Sequence, residues 1–146
     1  MAILNRRARH EYHILETFEA GIILSGPEVK SIRAGQANLA EAHCIVRQDR
    51  VLLIGCHVSP YKPAAMNNPK DPTRSRELLL KKREIERLLG KLKEKGLTLV
   101  PLKLYFNERN FAKLQIGLAR GKKSHDKRQA IKERDIKREL QRRYKM

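Results

Sequence analysis

Twice along this chain, two runs of strand character are separated by a short polar break. The first pair is Cys44-Ile45-Val46 and Val51-Leu52-Leu53-Ile54; the second is Leu97 to Phe106 and Ala112 to Arg120. Runs of this length and composition, joined by tight turns, are hairpins. The first hairpin is expected to turn at Asp49-Arg50, which sets Cys44 opposite Gly55 and on the other sheet face from Cys56. The second turns at Asn107-Glu108-Arg109-Asn110, with Pro101 marking an edge or a bulge. Upstream, Glu11 to Thr17 carries Tyr12, Ile14 and Leu15 without helical spacing and predicts a strand. Phe18-Glu19-Ala20-Gly21 then predicts a turn into a short buried strand, Ile22-Ile23-Leu24. So many short strands expose long edges unless the sheet closes on itself. The expected fold is therefore mainly β: a small closed antiparallel barrel of oligonucleotide-binding type, with two or three flanking helices and a basic C-terminal tail.

The helices have their own signals. Ser25-Gly26-Pro27-Glu28 predicts a helix start, with proline where its missing N–H costs nothing, and Gly35 predicts its end. Ala37 to Ala42 fits no single element. Four prolines between Ser59 and Pro72 predict a loop. Thr73 to Lys95 is expected to be one helix, with Leu78, Ile85, Leu88, Leu89 and Leu92 on one face and Lys81, Lys82, Arg83, Arg87 and Lys91 on the other. Gly90 weakens it and Gly96 stops it. Beyond Arg120 the chain is dense in Lys and Arg, and Ile136, Leu140 and Tyr144 form a stripe too narrow to hold a helix in water. Residues 1–123 are thus expected to form the barrel domain. Residues 124–146 are expected to form a tail that is disordered alone and helical on a partner surface.

Charge bears on partners more than on fold. The 146 residues carry 33 Lys and Arg against 16 Asp and Glu, a formal net charge of +17. Such a chain favours polyanions, whose condensed counterions it releases. No run approaches the roughly 18 apolar residues of a spanning helix, no lipidation signal is present, and the opening residues lack the pattern of a secretory signal. The expectation is a cytoplasmic monomer with no membrane partner. Cys44 and Cys56 are expected to stay reduced.

Catalysis finds little support. Glu16, Glu19, Glu28 and Asp71 are scattered, and no nucleophile context or phosphate-cradling glycine loop is present. His43-Cys44 and Cys56-His57 offer zinc-type donors, but alternation along strands sends neighbours to opposite faces. No enzyme, metal or cofactor is expected.

RNA chemistry is better represented. Asn5-Arg6-Arg7-Ala8-Arg9-His10 with Tyr12 is either an arm for phosphates and bases or a solvated charged end, and chemistry alone leaves both open. The basic helix face reads more simply as a water-facing side. Arg120-Gly121-Lys122-Lys123-Ser124-His125-Asp126-Lys127-Arg128 is sharper, because a small glycine lets backbone approach phosphate between cations. Its rival is a tail for anionic lipid, which would want a wider apolar face.

Several segments together closely resemble one bacterial family. They are Asn5 to Tyr12, Glu19-Ala20-Gly21, Glu28 to Gly35, Asp71-Pro72-Thr73-Arg74, Leu78-Leu79-Leu80, Lys95 to Leu102 and Ala119 to Lys123. The family is small protein B, also called the SsrA-binding proteins, and the likeness spans nearly the whole chain. It implies a barrel that grips the tRNA-like part of transfer-messenger RNA and accompanies it into ribosomes stalled on truncated messages, with elongation factor Tu a further partner of the charged RNA. By position, Asn5, Glu19 and Leu79 would belong to the RNA-binding face or its support, with Lys30, Arg33, Arg120 and Lys122 as backbone contacts. Arg7, Arg9, His10, Gly121 and Lys123 complete the expected RNA-binding set. His125, Asp126, Lys127 and Arg128 would occupy the empty decoding site, with the residues beyond running along the messenger channel. The chain departs from the family at Lys70, where a His usually precedes Asp-Pro, and at Pro27, where a Thr or larger residue is common. Two rivals remain: a general translation factor or ribosomal protein, which would bind ribosomes without this RNA, and a nuclease, which would turn RNA over.

Overall fold

The computed structural model describes residues 2–64 and 67–122. Six antiparallel strands close a ring: β2 (Tyr12–Ile22), β9 (Ala112–Gly121), β8 (Leu97–Phe106), β4 (His43–Arg47), β5 (Arg50–Ile54) and β7 (Arg76–Leu79), which returns to β2. The closed barrel expected from the sequence is present. A short β1 (Ala2–Leu4) adds to β8 beside Lys103–Tyr105, and β3 (Ala37–Asn38) pairs separately with β6 (His57–Val58). The interior is filled by inward residues of every ring strand, among them Phe18, Ala20, Val51, Leu53, Leu78, Leu99, Leu114 and Ile116.

The β8–β9 hairpin turns where expected, and the register shifts between Pro101 and Lys103, the bulge that a proline in a paired strand demands. Below that bulge β8 pairs with β4 at Leu99, and above it with β1. Among the described residues, three α-helices surround the barrel. The second, α2 (Gly26–Arg33), starts on a complete capping box: the Ser25 hydroxyl accepts from the Glu28 N–H, and the Glu28 carboxylate accepts from the Ser25 N–H. It lays Ile32 on the core and is fastened by Glu28, which pairs with Arg74 and Arg76.

Four local expectations need correction. The arm at Asn5–His10 is instead a helix, α1 (Arg6–Glu11), because Asn5 caps it and Ala8 packs on the outside of the barrel with Val100, Leu102 and Ala119. There is no turn at Phe18–Gly21. The strand runs on, since Phe18 and Ala20 point inward and Gly21 lies beneath Leu79.

The first hairpin turns one residue earlier than expected, at Gln48-Asp49, both with positive φ, so Cys44 faces Leu53. Cys44 and Cys56 nevertheless sit in the same core, because β5 ends at Ile54 and Gly55, at a φ of +74°, breaks the alternation before Cys56. Both are free thiols, but not for the expected reason of opposite sheet faces. Finally, Thr73–Lys95 is two elements, β7 and α3 (Lys82–Leu92). Leu78 fits helical spacing with Ile85, yet β5 and β2 each have an edge that only a strand between them can pair, and Leu78 lies opposite both Val51 and Ile22.

Candidate nucleic-acid interface

Alternation in β2, β9 and β8 leaves a polar outer face above the α1 contact. In one row, Glu19 lies opposite Gln115 and Gln115 opposite Lys103, with Leu4 of β1 next in line. In the adjacent row, Leu79 of β7 lies opposite Gly21, Gly21 opposite Lys113, and Lys113 opposite Tyr105. Thr17 and Gly117 continue the face below. Gly21 has a reason to be small: a Cβ there would stand 3.4 Å from the Leu79 Cβ. Leu4 and Leu79, each 55% exposed, border the face on opposite sides. The surface therefore combines acceptor, amide, cations, one aromatic ring and two apolar edges, which suits bases and backbone together.

Among the described residues, Glu19 has no arginine partner. Its Oε2 accepts from the Tyr105 hydroxyl, and the Lys103 ammonium lies 5.0 Å from the centre of the Tyr105 ring. Partial burial, with the Glu19 hydrogen bond second, pushes the Tyr105 hydroxyl up to about 12, so it stays a donor at working pH.

The other expected residues fall into separate groups. Asn5 is buried, and its side chain serves the fold: Oδ1 accepts from the Ala8 N–H at 3.1 Å, while Nδ2 donates to the carbonyls of Pro101 at 2.8 Å and Leu39 at 3.3 Å. It supports the face rather than lining it. Arg7 is exposed but engaged with Glu11 and Glu41. Arg9 and His10 are exposed at the end of α1, where Lys122 reaches the Arg9 carbonyl at 3.5 Å and Gly121 pairs with Tyr12. Arg120 stands 3.8 Å from Glu94, with its buried Nε unpartnered.

Lys30 and Arg33 project from α2, with Lys30 over the Tyr61 ring and the Arg33 guanidinium 4.3 Å from the centre of Phe106. Among the described residues, no carboxylate lies within ion-pair distance of Lys30, Arg33, Lys103, Lys113 or Lys122. Those charges remain available to phosphate. Lys123, His125, Asp126, Lys127 and Arg128 lie outside the described residues, as does the expected boundary between domain and tail.

Tyr105, Lys103, Lys113 and Gln115 did not stand out in the sequence, although their alternation on a predicted hairpin could have grouped them. No described group of three or more His, Cys, Asp and Glu could hold a metal. His43 and His57 face solvent while Cys44 and Cys56 face the core. A groove of about 850 Å³ between the end of α2 and Ser59–Pro63 is lined by Gly35, Asn38, His57 and Tyr61, away from the sheet face.

The family model described as SmpB protein matches residues 2–146. The SsrA-binding protein of Desulforamulus reducens is 56% identical over 138 residues, covering 94% of this chain and 85% of its own length. That of Synechococcus sp. (strain JA-2-3B'a(2-13)) is 58% identical over 141 residues, covering 97% and 91%. A chain of the solved structure "tmRNA-SmpB: a journey to the center of the bacterial ribosome" is 53% identical, with a TM-score of 0.70 over 83% of this chain and 84% of that one.

Proposed function

The chain belongs to the SmpB protein family, and from that membership we propose that it binds transfer-messenger RNA and delivers it to stalled ribosomes in trans-translation. The observation that carries this reading is the kinship itself: relatives named for binding SsrA, and a solved relative named for tmRNA and the bacterial ribosome, match almost the whole chain. The barrel, of oligonucleotide-binding type, offers a surface suited to the task in the Glu19, Gln115, Lys103 and Leu79 face. The RNA's tRNA-like part lies on that face, with Lys30, Arg33, Arg9, His10 and Lys122 contacting its backbone at the margins. The activity is binding and delivery in the cytoplasm, without a covalent step. Residues 124–146 act on the ribosome, with His125, Asp126, Lys127 and Arg128 in the decoding site and elongation factor Tu bound to the same charged RNA.

Gel-shift titration of the tRNA-like RNA against ordinary tRNA competitor tests this, using the full chain and one truncated after Lys123. Both forms are expected to bind selectively, with affinity falling as salt rises by a log-log slope of roughly 0.7 to 0.9 per neutralised phosphate. If neither form discriminates, the chain is a generic basic RNA binder. If only the full chain binds, recognition does not reside in the barrel.

A further inference from the structure

Tyr105 stands on β8 and Glu19 on β2, with β9 between them. The hydrogen bond that joins them therefore carries the aromatic ring across β9, flat along the polar face rather than out of it. An aromatic ring laid along a sheet is a stacking surface for an unpaired base. Lys103, which now covers the ring, is a cation that an arriving base displaces toward its own phosphate.

The tether also fixes what the carboxylate can read. With Oε2 accepting from Tyr105, the Glu19 carboxylate is held in one orientation, and among the described residues its Oε1 has no partner. A carboxylate only accepts. Of the four bases, guanine alone presents two adjacent donors, N1–H and the N2 amino group, on its Watson–Crick edge. Adenine and cytosine each set a ring-nitrogen acceptor beside their amino group, and uracil flanks its one N–H with two carbonyls. Beyond guanine N1 comes O6, an acceptor. Directly opposite Glu19 stands Gln115, whose amide can donate to it.

We propose that Tyr105, Glu19 and Gln115 form a guanine-selective subsite for one unpaired nucleotide of the bound RNA. Tyr105 supports the base and positions the carboxylate, Glu19 reads N1–H and the N2 amino group, and Gln115 donates to O6. This rests on the outer face being the RNA-binding surface and adds to that a base identity.

The test uses the full chain and labelled single-stranded heptamers of uridine with guanine, inosine, adenine or cytosine at the centre, at a fixed, roughly physiological ionic strength of about 0.15 M. The tRNA-like RNA is titrated in parallel. The guanine heptamer is expected to bind about tenfold or more tighter than the adenine one, the scale of a bidentate base contact. Inosine, which lacks the N2 amino group, falls between. Glu19→Gln flattens the series. Tyr105→Phe keeps the ring and lowers the guanine-to-adenine ratio. Heptamers bound alike, or not at all, while the tRNA-like RNA still binds selectively would overturn the subsite and leave the proposed function standing. Loss of selectivity for the tRNA-like RNA as well would overturn both.

Discussion

Arg76 is completely buried and directs both its Nε, at 2.9 Å, and one Nη, at 2.6 Å, to the same oxygen of Glu28. Its other bonds go to the carbonyls of Cys56, Arg74 and Pro72, which accounts for all five guanidinium donors. Glu28 also takes two bonds from Arg74 and one from the Ser25 N–H. One ion cluster thus joins α2, β7 and the connections on either side of the prolines.

Removing one partner from a buried pair leaves an uncompensated charge, which is far worse than removing both. Arg76→Met and Glu28→Gln are each expected to destabilise the domain by about 3–5 kcal/mol. The double variant should lose less than the sum. Urea melts of the four proteins measure the coupling, and simple additivity would mean the cluster does not act as a unit.

The same cluster sets an acid response. Burial alone would raise the Glu28 pKa, but the hydrogen bonds from Arg74, Ser25 and Arg76 outweigh it, and the net shift is downward from 4.5. A depressed carboxylate binds its proton more readily unfolded than folded, so its contribution is complete above the unfolded value and is lost as pH falls through the folded one. Stability measured from pH 6 down to about pH 2 should therefore fall more steeply in the parent than in Glu28→Gln. Parallel curves would contradict the assignment.

Asn5 offers a way to separate support from contact. Asn5→Ala removes a helix cap and leaves the Pro101 and Leu39 carbonyls short of a partner. Caps and buried hydrogen bonds of this kind are worth about 1–3 kcal/mol. The expected result is a lower melting temperature, with RNA affinity at 10 °C reduced less than in Glu19→Gln. A parent-like melt with lost affinity would instead make Asn5 a direct contact.

The two thiols should be silent. Burial pushes the Cys56 thiol up to about 11, with Arg76 opposing, and burial raises Cys44 further still. Thiolate is the reactive species, so neither residue is expected to react with a thiol reagent at pH 8 until the protein is unfolded, when both should react at once. Fast labelling of either in native buffer would show that the core opens locally.

What was legible in the sequence was local. Ser25 and Glu28 announced α2, and the long hairpin with its Pro101 bulge followed from alternation and a polar turn. The misreadings arose where a local signal was ambiguous. The cations after Asn5 read as an arm, and only the cap made by Asn5 and the apolar seat of Ala8 on the barrel make the segment a helix. Leu78 suited a helix, and only the neighbouring strands make it a strand residue.

The candidate site divides the same way. Glu19 and Leu79 came from family likeness, whereas the link from Tyr105 to Glu19 spans 86 positions and depends on which strands flank β9. No window of sequence contains that information.

The ring also has a history in time. One of its two longest seams joins β2 to β9, pairing Tyr12 with Gly121, so the first ring strand made waits for the last. Contacts of such separation are slow to form because the intervening chain must first be closed into a loop. During synthesis β2 stays half-partnered until nearly the whole barrel has emerged. Closure of the ring therefore waits for β9, and a chain broken off before β9 is left with an open edge rather than a smaller barrel.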